Sequence, residues 1–198
     1  MNSSIAVVGL TGGIASGKST VAALVQSYGV PMLSLDQVAR DVVRPGCPAL
    51  DDIRTLWPDA VIGDVLDRGL LGKRMVTDVA VKTALEAIMF PRIRAARDTW
   101  IEARRVEGHA AVLIEDPLLF ESGSASSYTH TIAVVCNRDT QIARLMARNG
   151  FAADYAALRV DVMRSIDPSK VDALIENRGS PEELAAAVQR AWVRLFTP

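Results

Sequence analysis

A glycine-rich turn sits between an apolar run, Ile5 to Gly9, and a segment carrying Val21, Leu24 and Val25 at i, i+3, i+4 spacing. It reads Gly12-Gly13-Ile14-Ala15-Ser16-Gly17-Lys18-Ser19-Thr20, a G-x-x-x-x-G-K-[ST] pattern in the strand-to-helix context that this pattern requires. Glycines at both ends let the backbone curl until successive N–H groups converge on an anion, and the positive end of the following helix adds to the pull. The cradle therefore runs through Gly13, Ile14, Ala15, Ser16, Gly17, Lys18, Ser19 and Thr20, with Lys18 reaching the β- and γ-phosphates of ATP and the Ser19 hydroxyl available to Mg2+. An ordinary turn that binds nothing is the competing reading, and the strand-to-helix placement weighs against it. The pattern alone leaves kinase, ATPase and GTPase open. A guanine switch is disfavoured, because no aspartate has a glycine three places on and Asn137-Arg138-Asp139 brings its acid too early for an N-K-x-D loop.

Composition narrows the class further. A chain of 198 residues, 49% of them hydrophobic, fits one domain with insertions. Net charge is -1 with both signs scattered, so bulk electrostatics holds neither nucleic acid nor a membrane surface, and any anion is bound by a local site. Cys47 and Cys136 lie far apart and read as incidental thiols of a reducing compartment; His109 and His130 are too few for a zinc site, so a metal here is magnesium on oxygen ligands. The start, Met1-Asn2-Ser3-Ser4, lacks a targeting signal, and no apolar run approaches the roughly 20 residues of a bilayer span. The expectation is a soluble, cytoplasmic protein with small-molecule substrates, no nucleic-acid or membrane partner, and a monomeric or weakly homo-oligomeric state.

Short apolar runs alternate with segments of helical period, the pattern of an α/β protein whose parallel strands are covered on both faces. Five strands are predicted: Ile5 to Gly9, Pro31 to Leu35, Ala111 to Ile114, Thr131 to Cys136 and Ala173 to Ile175. Ser180-Pro181-Glu182-Glu183 reads as a capping box opening a C-terminal helix that buries Leu184, Val188, Trp192 and Leu195. From about Arg40 to Gly108 no strand is predicted; helical periodicity dominates, as in Leu85, Ile88 and Met89 before Pro91. The organisation expected is one domain, with a core of 1–39, 109–140 and 166–198, a helical insertion over about 40–108 and a lid over about 141–165. Trp57, Trp100 and Trp192 are isolated and read as packing residues.

The second predicted strand runs into Leu35-Asp36-Gln37-Val38-Ala39-Arg40, placing Asp36 at the carboxyl edge of the sheet, where ligands of open α/β sheets bind. Position alone leaves two roles for Asp36: a carboxylate that orients or deprotonates an attacking hydroxyl, or a helix N-cap. Glu115 and Asp116 close the third strand, where an acid can hold magnesium through water; Glu115 is the preferred candidate, the alternatives being a cap or a solvent-facing group. Arg144 and Arg148, four apart on a predicted helix, share a face and can neutralise phosphoryl charge, although surface arginines are common.

Several of these segments together resemble the dephospho-CoA kinase family. Leu10 to Thr20 is similar to its form of the loop, Leu35 to Arg40 to its A-D-x-I-A-R segment, Pro45-Gly46 and Leu66-Asp67-Arg68 to its following turns, and Pro117-Leu118-Leu119-Phe120-Glu121 to its P-L-L-[FY]-E segment. Arg144 to Arg148 is similar to the start of its lid, and Ile175-Glu176-Asn177-Arg178-Gly179 to its I-D-N-x-G segment near the adenine. The resemblance implies a three-layer P-loop kinase fold with a parallel five-stranded sheet, an acceptor-binding insertion and a lid, phosphorylating the ribose 3′-hydroxyl of dephospho-CoA. It implies Asp36 and Lys18 as catalytic residues, Arg144, Arg148 and Asn177 as further ATP contacts, and Asp36, Arg40, Arg68, Pro117, Leu118 and Leu119 as acceptor contacts. Ser34, Phe90-Pro91, Asn149 and Asp161 depart from the family's acid, His-Pro, R-D and glutamine at those places. Another small-metabolite kinase on the same scaffold, or a module that binds ATP without transferring it, are the rival readings.

Overall fold

The structure, a computed structural model, describes residues 5–162 and 166–197. Along the chain the elements are β1 (Ala6–Gly12), α1 (Lys18–Ser27), β2 (Met32–Ser34), α2 (Leu35–Asp41), α3 (Pro48–Leu56), β3 (Val61–Ile62), β4 (Val65–Leu66), α4 (Arg68–Thr77) and α5 (Val79–Val106). They continue with β5 (Ala111–Glu115), β6 (His130–Val135), α6 (Arg138–Asn149), α7 (Ala153–Asp161), β7 (Ala173–Glu176) and α8 (Pro181–Phe196). Two compact units result, one built from the described parts of 1–32 and 104–198 and the other from 33–103.

A parallel sheet in the order β2-β5-β1-β6-β7 organises the first unit. β1 lies at its centre, in register with β5 from Ala6 opposite Ala111 to Leu10 opposite Glu115, and with β6 from Val8 opposite His130 to Gly12 opposite Val134. Val8, Leu10, Leu113, Ile132, Val134 and Ile175 are sealed from solvent and pack with Val21, Ala22 and Val25 of α1 and Leu184 and Val188 of α8. Burying each large aliphatic chain is worth about 1.5–3 kcal/mol, which explains why these strands read as near-continuous apolar runs. The order places successive connections on either side of β1, so the crevice at its carboxyl end is the topological switch point where such sheets bind ligands.

The expected capping box is present: Ser180 Oγ accepts from the Glu183 N–H at 3.3 Å, and Glu183 Oε2 accepts from the Ser180 N–H at 2.8 Å. All five predicted strands form, with shifted ends. β1 runs on to Gly12, while the second strand stops at Ser34, which caps α2. Leu35 and Asp36 therefore belong to the first turn of a helix and not to the strand, and Asp36 is not the N-cap.

In the second unit Val43, Ala49, Leu50, Ile53, Ala60, Val61, Leu71 and Ile88 form a separate apolar core, with Trp57 packed on its margin. The expectation of no strand between Arg40 and Gly108 is corrected here. Val61–Ile62 and Val65–Leu66 pair antiparallel around Gly63-Asp64, with Gly63 at φ 60, a conformation that glycine adopts without a Cβ clash. α5 continues through Pro91, whose missing N–H leaves one intrahelical bond unmade; next to that gap the Arg92 guanidinium donates to the Ile88 carbonyl at 2.8 Å.

Candidate active site

The turn between β1 and α1 is held from outside by side chains that take up its carbonyl oxygens. Lys18 Nζ donates to those of Gly12 and Gly13 at 2.9 and 3.1 Å. Gln141 Nε2 donates to that of Ile14 at 2.8 Å, Arg144 Nη1 to those of Ala15 and Ser16 at 3.3 Å each, and Asn177 Nδ2 to that of Ser16 at 2.8 Å. The N–H and C=O of a trans peptide point in opposite directions. Drawing the Ile14 and Ser16 carbonyls toward α6 and the end of β7 therefore turns the Ala15 and Gly17 N–H groups the other way, beside the open N–H groups of the first turn of α1.

Two glycines are fixed by this bracing. Gly17, at φ 99, caps α1, and a Cβ there would lie 2.1 Å from Asn177 Nδ2; a Cβ on Gly13 would lie 2.6 Å from Gln141 Nε2. Ala15 holds φ 55, which costs a non-glycine residue about 1 kcal/mol or more and marks the loop as backbone held in strain. Ser16 Oγ is fully buried with no hydrogen-bond partner among the described residues. A hydroxyl kept in that state costs about 1–3 kcal/mol, a feature more expected of a ligand site than of packing.

Beside the loop lies an open cleft of about 710 Å³, lined by Ala15, Gly17, Ser19, Thr20, Arg144, Arg148 and Asn177 and closed below by Pro181 and Leu184. α6 reaches it because Asn137 Oδ1 caps the helix through the Thr140 N–H at 2.8 Å, which fixes Gln141 and Arg144 on one face at i, i+3. Arg144 also reaches Asn177 Oδ1 at 3.4 Å, so Asn177, 5% exposed, braces the loop as well as lining the cleft. Arg148 is exposed on the last turn, its Nε donating to Asn149 Oδ1 at 2.9 Å. Gln141 was not anticipated from the sequence; its i, i+3 spacing from Arg144 was the available signal.

The remaining expected residues fall as follows. Glu115 ends β5 level with Leu10 on the neighbouring strand, half-buried. Asp116 is the capping acid: it is buried, takes the Leu118 N–H at 3.1 Å, and accepts from Ser124 Oγ at 2.7 Å and Tyr128 OH at 2.8 Å. Leu118 is 48% exposed, whereas Leu119 is fully buried. A Cβ on Gly9 would lie 2.7 Å from Leu119 Cδ1, so Leu119 packs over β1 and offers no surface to an acceptor; Pro117 is half-buried beside it. In the second unit Asp36 and Arg40 are exposed on α2, and Asp36 makes no hydrogen bond or ion pair with any described residue. Arg68 opens α4 and donates to the Ala39 carbonyl at 3.3 Å. Burial pushes the Cys136 thiol up, against the pull of the Arg144 and Arg178 charges, in keeping with an inert thiol.

Among the described residues no three His, Cys, Asp or Glu side chains group as a metal cage. Oxygen donors on the elements that flank the loop include the exposed Ser19 hydroxyl on the first turn of α1 and the Glu115 carboxylate at the end of the adjacent strand. That sparse, all-oxygen set fits Mg2+, which keeps several waters and shares its shell with phosphate oxygens. No helix among the described residues is long and apolar enough to cross a membrane.

Over residues 6–183 the sequence matches the dephospho-CoA kinase family. A dephospho-CoA kinase of Symbiobacterium thermophilum is 38% identical over 190 residues, 94% of this chain and 80% of that protein. A Thermus thermophilus protein of known crystal structure superposes with a TM-score of 0.83 at 32% identity, over 98% of this chain and 99% of that one. Dephospho-CoA kinase from Campylobacter jejuni shares the fold, with a TM-score of 0.70 at 24% identity over 96% of each chain. The match begins with β1, takes in the braced loop and every strand of the sheet, and ends in the first turn of α8: the chain belongs to the dephospho-CoA kinase family, phosphotransferases acting on an alcohol group.

Proposed function

We propose that this chain transfers the γ-phosphate of ATP to the ribose 3′-hydroxyl of dephospho-CoA, giving coenzyme A in the final step of its synthesis, and that it does so in the cytoplasm as a single P-loop kinase domain, monomeric or weakly self-associating. The observation that carries this reading is the loop whose outward carbonyls are held by Lys18, Gln141, Arg144 and Asn177 beside an open cleft, in a chain of this family.

Phosphoryl transfer asks the protein for position and for charge opposite the equatorial oxygens, with little covalent chemistry. Lys18 supplies charge at the loop. It leaves the Gly12 and Gly13 carbonyls when a better acceptor, a phosphate oxygen, arrives. Arg144 lines the cleft with its fork already oriented by the loop carbonyls, and Arg148 adds a second cation from the exposed end of α6. Ser19, and Glu115 through water, would hold Mg2+, which would supply positive charge against the phosphate oxygens. Asp36 orients or deprotonates the acceptor hydroxyl, a role open to a carboxylate that is exposed and uncommitted. Arg40, Arg68, Pro117 and Leu118 contact the acceptor. α6 and α7 act as the lid over about 141–165, whose last residues, 163–165, lie outside the described residues; closure excludes water and suppresses hydrolysis of ATP.

The test is a panel of alcohols offered with ATP and Mg2+ and followed by ADP release. Dephospho-CoA should exceed adenosine, shikimate and gluconate by at least about 100-fold in kcat/KM, the discrimination available to a site that pairs with polar groups of its substrate. A better rate with a sugar acid or nucleoside would assign the chain to a different small-metabolite kinase. ATP binding without transfer to any acceptor would make it a regulatory module.

A further inference from the structure

One polar side chain of the loop is idle in the unliganded protein. Ser16 Oγ is fully buried and meets no hydrogen-bond partner among the described residues, while the amine of Lys18 is engaged by the Gly12 and Gly13 carbonyls at 2.9 and 3.1 Å. Both side chains converge on Gly12. A Cβ built there would lie 2.8 Å from Ser16 Oγ and 3.1 Å from Lys18 Cγ, so the hydroxyl and the lysine stem flank the same residue.

The two carbonyls differ in what they keep if Lys18 departs. That of Gly13 also receives the Ser16 N–H, at 3.3 Å. That of Gly12 turns to the same side of the strand as the Leu10 carbonyl, which the Asp116 N–H takes at 2.9 Å. β1 is in register with β5 only as far as Leu10 opposite Glu115, so the Gly12 carbonyl lies past its last strand neighbour on that side. Gly12 is buried, and without the amine its carbonyl would be an acceptor with no donor, a state that buried backbone avoids. The Val134 carbonyl also lies beside Gly12, but Val134 sits in a strand paired on both sides, whose carbonyls the sheet takes.

We propose that Ser16 is a positioning residue that relieves Lys18: when ATP draws the amine to its phosphate oxygens, the Ser16 hydroxyl turns and donates to the Gly12 carbonyl that the amine has left. Rotation about one bond, between staggered positions of the serine side chain, carries the exchange. It rests on the function proposed above only in taking ATP as the guest of the loop, and it adds a role for a side chain that the nucleotide does not touch. The hydroxyl is unpaired without nucleotide and paired with it, so relief of a buried polar group contributes to affinity.

The experiment uses the full chain, Ser16→Ala, Lys18→Met and the double variant. Ser16→Ala removes a hydroxyl that nothing satisfies in the free protein, so the thermal midpoint without nucleotide should rise by about 2 °C or more. Calorimetric titration of the same protein should show ATP with Mg2+ bound about 5- to 30-fold more weakly. A packing role for Ser16 would move stability and affinity the same way; the exchange moves them in opposite directions. KM for dephospho-CoA should stay within about twofold, since the loop does not hold the acceptor. In Lys18→Met the Gly12 carbonyl is open from the start and takes the hydroxyl, so adding Ser16→Ala should there lower the midpoint. A Ser16→Ala protein that is less stable than wild type, or that binds ATP as tightly, overturns the exchange. So does a midpoint that Ser16→Ala raises in the Lys18→Met background as well, the result expected of a hydroxyl that donates to phosphate directly. A chain that binds ATP yet phosphorylates no dephospho-CoA loses the proposed function alone, and the exchange then stands or falls on the same midpoints and titrations. A chain that binds no ATP loses both.

Discussion

Gly17 shows how much one residue decides. Its backbone sits at φ 99, and its missing Cβ leaves the space that the Asn177 amide occupies on its way to the Ser16 carbonyl. Gly17→Ala must therefore both pay about 1–3 kcal/mol for a left-handed alanine and push Asn177 off the loop. It should lower the thermal midpoint and weaken ATP binding by at least about 10-fold, read by denaturation and by nucleotide titration. Gly29→Ala is the control: it shares a positive φ, 81, but a Cβ there meets nothing within 4 Å. It should cost about 1–2 kcal/mol of stability and leave nucleotide affinity unchanged. A Gly17→Ala protein that binds ATP normally would mean that the Asn177 brace is dispensable.

At the scale of elements, α6 and α7 pack through Leu145, Ala156 and Val160, and the same cluster includes Ile14 and Ala15 of the loop. Their outer seam is closed by Arg138, whose Nε and Nη2 donate to the two oxygens of Asp161 at 2.7 Å each. That bidentate hydrogen bonding holds the Asp161 carboxyl below the usual carboxylate range, and the Arg138 charge reinforces it. A folded-state value below the unfolded one means that the pair's contribution is present above the unfolded value, about 3.9, and is lost as pH falls through the folded value. Asp161→Asn should thus lower the thermal midpoint slightly at pH 7, as befits an exposed pair, and the gap to wild type should close on acidification below about pH 4. A gap that persists unchanged in acid would assign the effect of the substitution to something other than the carboxylate. Asp161 thus joins the end of α7 to the start of α6.

For the molecule as a whole, the parts legible in the sequence were those with a strong local signal. The loop motif and the Ser180-Pro181-Glu182-Glu183 box are patterns contained within a few residues, and the central strands β1, β5 and β6 are buried enough to read as apolar runs. What was not legible depends on partners distant in sequence. Val61–Ile62 and Val65–Leu66 are too short to show alternation, although Gly63-Asp64 between them is a hairpin turn signal. Gln141 serves a carbonyl 127 residues away. Leu119 looks like its exposed neighbour Leu118 until the space left by Gly9 is seen beneath it. Asp36 was expected at a strand end and stands in the first turn of a helix, because Ser34 ends the strand two residues earlier.

Asp36 is the residue on which the proposed chemistry turns, since the proposal assigns it to the acceptor hydroxyl and gives it no part in holding ATP. Asp36→Asn keeps the size and the helix position and removes the base. Steady-state kinetics with ATP, Mg2+ and dephospho-CoA, alongside an ATP titration of the same preparation, separates the two functions. We expect kcat to fall by about 100-fold or more while the Kd for ATP stays within about twofold. Full turnover by the Asp36→Asn protein, or equal losses of turnover and ATP affinity, would contradict the assignment of Asp36 to the reacting hydroxyl.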